Sequence, residues 1–562
     1  MSDMSDDEQP EAPPAEPQRP KRSKAIWITL VAVLVLFLGF SGLASFWTEK
    51  LWFSSIGYGS VFSGLVKARV GLFLVFGLLM AVVVGVNIFL AYRFRPVFRP
   101  HSPEQVSLDR YRDAVAPIRM WLLVGISLLI GAFAGTTASG KWREFMLWRN
   151  GGDFDKSDPF FGHDIGFYVF DVPWLHFVMD YAMAVTIVTI MVVALVHYLY
   201  GGIRLQSQQD RLSGAAAAQL SVLAGFFVLS KAADYWLDRF DLLNQSGSLI
   251  TGIGYTDDNA VLPAKNILMF IAVICAVLFF ANVVRRTWLL PTVGLGLLVL
   301  SSVLLGLIWP GIVQQFQVEP SQADKEAPYI QKNIDATRAA YDIDDAVYTD
   351  YSGQTSLTQQ QQAEEVDTIP GIRLVDPALV RATFEQIQQS TRYYSVAEVL
   401  DVDRYTIDGQ DRDLVLGVRE LNQDGLPEDS KNWTNLHTVY THGYGMIAAY
   451  GNQRGKENKT QSTSGEPVWA EEDIPPKGAL TDMFPDGYRP QIYFGENSPE
   501  YSIVGKVKKD DPDVELDLPA ESDTGEGGNT YDGEAGVGVG STFRQILYAW
   551  KFGEPNIVLS GR

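Results

Sequence analysis

Residues 70–92 read VGLFLVFGLLMAVVVGVNIFLAY, and Arg93, Arg95 and Arg99 follow almost at once. Within that stretch from Val70 to Tyr92 the only amide or charged side chain is Asn87. A helix rises about 1.5 Å per residue, so a run of this length crosses the roughly 30 Å hydrocarbon core of a bilayer. The arginines behind it mark that end as the cytoplasmic one, because basic residues are retained on the inside.

Working outward, six more runs share this character: Ala25 to Phe46, Met120 to Ala138, Phe177 to Tyr200, Ala215 to Leu237, Asn266 to Val284 and Leu289 to Val313. Each is expected to span as a helix. Basic residues gather in alternate gaps, at Arg19, Lys21, Arg22 and Lys24, then Arg93 to Arg119, then Arg204 and Arg211, then Arg285 and Arg286. The other gaps mix Lys50, Lys141, Arg143 and Arg149 with Glu49, Glu144, Asp153, Asp155 and Asp158. The expected topology has the start of the chain in the cytoplasm and its end outside. An odd number of spans leads to the same answer.

The rest of the chain is different material. Of 562 residues, Gln314 to Arg562 hold 21 Lys plus Arg against 43 Asp plus Glu, whereas the whole chain stands at -21. The preceding half is therefore nearly neutral, and the acidity belongs to the C-terminal half. Such a surface excludes nucleic acid and charge-driven docking on anionic lipid. It suits solubility, cations or basic envelope partners. The single cysteine, Cys275, falls in the sixth run, so the C-terminal half has no disulfide and no thiolate site. The segment 1–24 is poor in apolar residues up to Arg19 and is expected to be a disordered cytoplasmic tail. The run behind it is too long for a signal-peptide core and reads as a retained anchor.

The fold expected on these grounds is a polytopic α-helical membrane domain of seven transmembrane helices at 25–313, followed by a mixed α+β extracytoplasmic domain at 314–562. The string Asp158-Pro-Phe-Phe-Gly-His-Asp-Ile-Gly-Phe-Tyr-Val-Phe170 precedes the fourth run, and Gly254-Tyr-Thr-Asp-Asp-Asn-Ala-Val-Leu-Pro-Ala264 precedes the sixth. Further strings are Pro328 to Ile334, Asp401 to Ile407, Val439 to Gly445 and Ile492 to Glu496. Together they resemble the uncharacterised protein family UPF0182, bacterial membrane proteins common in actinobacteria. The resemblance implies seven N-terminal spans and a large extracytoplasmic domain, and it carries no catalytic residue. Where that family usually has Pro-Asn-Glu after the seventh span, this chain has Pro320-Ser-Gln322. Its members also run on well past the point matching Asn556 to Arg562, an apolar, strand-like stretch, so the outer domain is expected to be truncated.

Inside the spans, Lys231 and Asp234 lie three apart on one helix face. A charge in a bilayer is costly and marks a conduction or coupling site by default. Against that, Tyr235, Trp236, Asp238 and Arg239 follow immediately, and an interfacial anchor whose side chains reach the headgroups, or a structural ion pair, is the better account of the pair. Asn87 reads as glue between helices, and Gly131 with Gly135 as a pair that lets a neighbour approach. No span carries a chain of carboxylates of the kind proton pumps use.

In the outer domain, helices are expected from Pro328 to Tyr341 and after Asp376 and Pro377, with strands at 403–407, 414–418, 437–440, 491–494 and 501–504. Polar connections at 451–465 and 510–528 read as loops. Asp401, Asp403, Asp408, Asp411 and Asp413 invite calcium, but the fifth and sixth positions from Asp401 are Tyr405 and Thr406, which breaks the EF-hand pattern. A solvated hairpin fits better. His437 and His442 form no His-Glu-x-x-His motif, and no Gly-x-Ser-x-Gly elbow occurs. Gly536-Val-Gly-Val-Gly540 and Ser541 open a helix faced by Phe543, Ile546, Leu547 and Trp550. Gly538, Gly540 and Ser541 could hold an anion there, although a glycine turn with a serine cap accounts for the pattern. No cofactor or metal site is indicated. Three classes remain open: a transport or assembly component of the envelope, a membrane-held envelope enzyme, and a scaffold whose partners are lipid and envelope proteins.

Overall fold

The computed structural model describes residues 24–559, apart from 97–102, 205–210, 286–288, 351–352, 354, 357, 365–371, 390, 455–465, 485–487, 507, 509 and 517–527. The expected tail at 1–24, all but Lys24, and the link at Arg286 thus lie outside the described residues. Helix α1 is Lys24–Ser55, followed by α2 (Gly59–Arg93), α3 (Pro103–Val115), α4 (Arg119–Gly140), α5 (Trp142–Asn150), α6 (Val172–Leu199), α7 (Gly214–Asp241) and α8 (Leu262–Arg285). Then come α9 (Leu289–Val303), α10 (Trp309–Val313), α11 (Gln322–Ala340), α12 (Gln359–Glu364) and α13 (Pro377–Gln388). Seven stretches among the described residues are long and apolar enough to cross a membrane: Ile26–Ser55, Gly59–Arg93, Tyr111–Gly140, Phe167–Leu199, Gly214–Asp241, Asp257–Arg285 and Pro291–Ala340. All seven expected runs are helical.

Packing divides the chain into two compact units, one of Ser60–Asp350 and one combining Met1–Gly59 with Tyr351–Arg562. In the first, the glycine pair does what its spacing promised. A Cβ on Gly131 would stand 2.6 Å from the Gly77 carbonyl oxygen, and one on Gly135 2.6 Å from that of Phe73, so only hydrogen lets α4 lie this close on α2. Helices α7 and α8 are similarly intimate: a Cβ on Gly225 would meet the Phe280 ring at 2.8 Å, and Asn282 donates to Ser221 Oγ at 2.9 Å. Asn87 also joins helices, accepting from Gln219 Nε2 of α7 at 3.1 Å.

Among the described residues, four π-helical turns, at Phe167–Asp171, Asp257–Val261, Leu304–Ile308 and Gln314–Val318, interrupt this unit's helices. Each ends in a residue whose N–H donates to a carbonyl five positions back: Val172 to Phe167, Leu262 to Asp257, Trp309 to Leu304 and Glu319 to Gln314. In every case the next residue is proline, at 173, 263, 310 and 320. A proline cannot bond the carbonyl four residues back and its ring crowds it; a wider turn relieves both faults while the helix continues. The seventh span consequently runs on into α11. The expected helix start at Pro328 is corrected to Gln322, with Pro328 inside the helix.

The strings before the fourth and sixth spans shape loops. Asp158 accepts from the N–H groups of Phe160 (2.8 Å), Phe161 (2.7 Å) and His163 (2.9 Å), and from the Tyr168 hydroxyl at 2.6 Å. Burial would raise its pKa, yet these bonds prevail and hold the carboxyl below its usual range. Buried Glu326 of α11 accepts from Tyr255 N, and Tyr329 donates to Asp258 at 2.8 Å, which braces α11 against the loop between α7 and α8.

The other unit contains β1 (Tyr394–Ser395), β2 (Asp401–Ile407), β3 (Gln410–Val418), β4 (Glu420–Leu421), β5 (Gly443–Tyr444), β6 (Met446–Arg454), β7 (Pro467–Glu472), β8 (Lys477–Gly478), β9 (Gln491–Ile492), β10 (Glu515–Leu516) and β11 (Gly528–Asn529). Helices α14 (Ala479–Asp482), α15 (Thr542–Phe552) and α16 (Asn556–Leu559) complete it. An antiparallel sheet runs in the order β2-β3-β6-β7-β8. Both faces are covered: Val415, Ile447 and Ala449 meet Phe384 of α13, while Leu414, Ala448 and Ala470 meet Leu480 of α14. Asp376 caps α13 by accepting from Ala378 N at 3.0 Å, as its sequence suggested.

Several local expectations are corrected. Residues 437–440 form no strand, because Asn435–Val439 is a π-helical turn. Residues 501–504 form none either: Ile503 donates to the His437 carbonyl at 2.7 Å, but no ladder follows. Of 491–494 only Gln491–Ile492 pairs. Gly451 to Arg454 finish β6 rather than open a loop, and Glu515 in the acidic 510–528 stretch belongs to a strand. Asn556–Leu559 is helical instead of strand-like, started by Pro555, whose fixed φ favours a first turn.

Candidate functional site

On α7, Lys231, Asp234, Asp238 and Asp241 are spaced by three, four and three residues, which aligns them along one helix face. Lys231 and Asp234 pair directly, with the Lys231 ammonium also 4.8 Å from the centre of the Tyr235 ring. Asp234 is buried, with 5% of its surface exposed. A carboxylate held there without partners would cost several kcal/mol, and neighbouring helices supply them.

His176 enters from α6, its Nδ1 3.7 Å from Asp234 Oδ1 and its Nε2 3.0 Å from Asp241 Oδ2. Lys265 enters from α8 and places Nζ 3.1 Å from Asp238 Oδ2. Arg239 reaches Asn266 of α8 at 3.0 Å beside them. Two cations and an imidazole thus alternate with three carboxylates across three helices. The imidazole bridges the buried Asp234 to Asp241, whose side chain is half exposed.

Among the described residues, His176, Asp238 and Asp241 also form the one His and carboxylate group with metal-ligand spacing, their donor atoms all within 4.8 Å of one another. An imidazole with two carboxylates suits a divalent first-row metal. Lys265 would have to release Asp238 for such an ion to be held. Sequence reasoning named only Lys231 and Asp234, since their partners come from other helices.

A cavity of about 320 Å³ opens beside the network, between α7, α8 and the seventh span. Lys265 belongs to both. Tyr235 and Ser302, 3.4 Å apart, add hydroxyls to a wall that is otherwise apolar, with Leu268, Val303 and Leu307. The π-helical turn at Leu304–Ile308 lines it too, and such turns are frequent at functional sites.

The other candidates are differently placed. His437 Nδ1 lies 3.0 Å from the Tyr501 carbonyl oxygen, and His442 Nδ1 lies 3.0 Å from Thr441 Oγ1. The Asp-rich segment is an exposed β2-β3 hairpin turning at Asp408 and Gly409, both with positive φ. Ser541 caps α15 at 3.4 Å from Arg544 N, while Arg544 donates to the Gly538 carbonyl at 2.8 Å, so Gly538, Gly540 and Ser541 are organised as a turn and cap. Buried charges elsewhere are tied into the frame. Glu471 accepts from Leu480 N (3.1 Å) and Thr481 N (2.9 Å) at the start of α14. Arg419 is fully enclosed, donating to Gln388 Oε1 at 3.0 Å, and burial pushes its pKa down to about 10. Glu515 gathers the Thr441 and Tyr493 hydroxyls and the N–H groups of Gly505 and Tyr531.

Comparison with known proteins settles the family. The model of the Uncharacterised protein family (UPF0182) matches residues 26–562. The chain belongs to UPF0182. A UPF0182 protein of Nocardioides sp. (strain ATCC BAA-499 / JS614) is 59% identical over 549 residues, 96% of this chain and 54% of its own length. One from Streptomyces coelicolor is 45% identical over 540 residues, 95% of this chain and 52% of its own, and one from Frankia alni is 45% identical over 520 residues, 91% and 49%. This UPF0182 chain spans about half the length of the curated relatives it matches. No solved structure matches it.

Proposed function

We propose that this UPF0182 chain forms part of a multi-pass plasma-membrane protein serving as a transport or assembly component of the cell envelope. Its N-terminus is cytoplasmic and its acidic C-terminal domain is extracytoplasmic, open to envelope partners. The observation that carries this reading is the network centred on Asp234, with a buried carboxylate, a bridging His176 and a cavity sharing Lys265. Anchoring alone requires none of these. Charged groups kept inside a helical membrane unit at a desolvation cost are the ordinary machinery of coupling sites.

The test is flux through the full-length protein in vesicles of phosphatidylethanolamine and phosphatidylglycerol, loaded with pH-sensitive and K⁺-sensitive dyes. Proton or cation flux that drops at least tenfold in Asp234→Asn, with the variant eluting as the parent does, supports the reading. Flux no greater than in protein-free vesicles, or equal in parent and variant, contradicts it.

A further inference from the structure

Helix α15 packs on α1, the first of the membrane-spanning candidates. Trp550 donates from Nε1 to Ser41 Oγ at 3.0 Å, and its ring lies 5.3 Å from Phe37 and 4.9 Å from Phe40. At the other end of α15, Phe543 meets Trp47 at 6.4 Å. The two helices therefore run antiparallel, and α15 covers α1 from Phe37 to Trp47.

That stretch is where α1 should leave the bilayer. About 20 residues cross the hydrocarbon core, and counting from the last basic residue, Lys24, puts the exit near Ala44. Glu49 and Lys50, the next charges, follow directly. The helix α15 itself is amphipathic. Leu547 is fully buried against its own domain, and Phe552 stacks on Tyr501 at 4.5 Å. Phe543, Ile546 and Trp550, at spacings of three and four, keep 52%, 43% and 41% of their surfaces exposed. Trp52 and Phe494, 6.4 Å apart, extend the aromatic cluster along α1. Aromatic side chains concentrated at one level are characteristic of the boundary between lipid and water.

We infer that the exposed edge of α15 formed by Phe543, Ile546 and Trp550 rests in the lipid surface where α1 emerges, fastening the C-terminal domain to the bilayer. The occupant of the face is lipid, for two reasons. The face continues the lipid-facing surface of α1, where Leu38 and Leu43 are exposed, and it stands at the depth where α1 meets headgroups. Because α15 runs along α1, Trp550 beside Phe37 to Ser41 reaches deeper than Phe543 beside Trp47, and Ile546 falls between them, near the exit at Ala44. The inference depends on α1 spanning the membrane and is independent of transport.

Its test uses the full-length protein in nanodiscs of phosphatidylethanolamine and phosphatidylglycerol, with Cys275→Ser as background. A nitroxide is placed at Ile546→Cys, at Leu34→Cys within α1 and at Asp424→Cys on the domain surface, and collisions with oxygen and an aqueous nickel chelate are compared. The inference expects Leu34 to report hydrocarbon, Asp424 water, and Ile546 the headgroup boundary, with the nickel collision rate at least threefold below that at Asp424. An Ile546 label as accessible to nickel as Asp424 overturns it. So does one shielded from both reagents, since another copy or further polypeptide would then cover the face. If Leu34 itself reports water, α1 does not span and the inference falls with it, whatever the flux result.

Discussion

Asp234 is the residue on which the network turns, because it is enclosed and touches both Lys231 and His176. Replacing it by Ala leaves Lys231 without its paired carboxylate and His176 with Asp241 alone, which costs about 1–3 kcal/mol. Thermal unfolding in detergent should show a clear loss for Asp234→Ala and a smaller one for Asp238→Ala, whose pairing with Lys265 is wetter. Equal losses would remove Asp234 from its central position. Asp158 supplies a pH dependence. Its folded pKa is depressed, so its contribution to stability is complete above the unfolded value of about 3.9 and disappears as pH falls through the lower, folded value. Protection factors at Phe160, Phe161 and His163, measured against the intrinsic exchange rate at each pH, should therefore fall below about pH 4 in the parent, and should be low and nearly flat with pH in Asp158→Ala. Unchanged protection in that variant would contradict the hub. Of this residue scale, helical periodicity made Lys231 and Asp234 legible, because contacts within one helix follow from spacing. His176 and Lys265 were not legible, since their positions depend on how α6 and α8 rotate against α7.

At the level of elements, apolar length alone located all seven candidate spans, and small-residue spacing marked the face of α4 that a neighbour approaches, though not that the neighbour is α2. Gly135→Leu should separate those helices, since its side chain must enter the space held by the Phe73 backbone. Overpacking of this kind costs about 1–3 kcal/mol. The variant should unfold at lower temperature in detergent than Gly125→Leu, a position on the same helix with open space beside it. Equal stability of the two would sink the close-approach account. Less was legible where short strands were concerned. The segment around His437 ends in the β-branched and aromatic residues Thr438, Val439 and Tyr440, which favour a strand, but it is held in a π-helical turn by a bond from Tyr440 N to the Asn435 carbonyl, and only tertiary packing selects that. The four π-helical turns ahead of prolines show the reverse: Pro173, Pro263, Pro310 and Pro320 are plain in the sequence, yet they widen their helices instead of ending them.

For the whole molecule, charge distribution and span number are the grounds for the proposed arrangement, with alternate gaps inside and the acidic half outside. The strings that carry the family resemblance build the loops around Asp158 and the brace on α11, whereas the charged network is spread over three helices with no contiguous signature. That division explains why membership of UPF0182 is readable from the chain while its chemistry is not. Everything proposed for the network and for α15 stands on the membrane arrangement. Its most direct measurement is labelling of full-length protein in intact cells with a membrane-impermeant maleimide, using single cysteines at the exposed positions Asp113, Asp153 and Asp424 in a Cys275→Ser background. The account predicts labelling at Asp153→Cys and Asp424→Cys in intact cells, and at Asp113→Cys only after lysis. Labelling of Asp113→Cys in intact cells, with the other two protected until lysis, would contradict it.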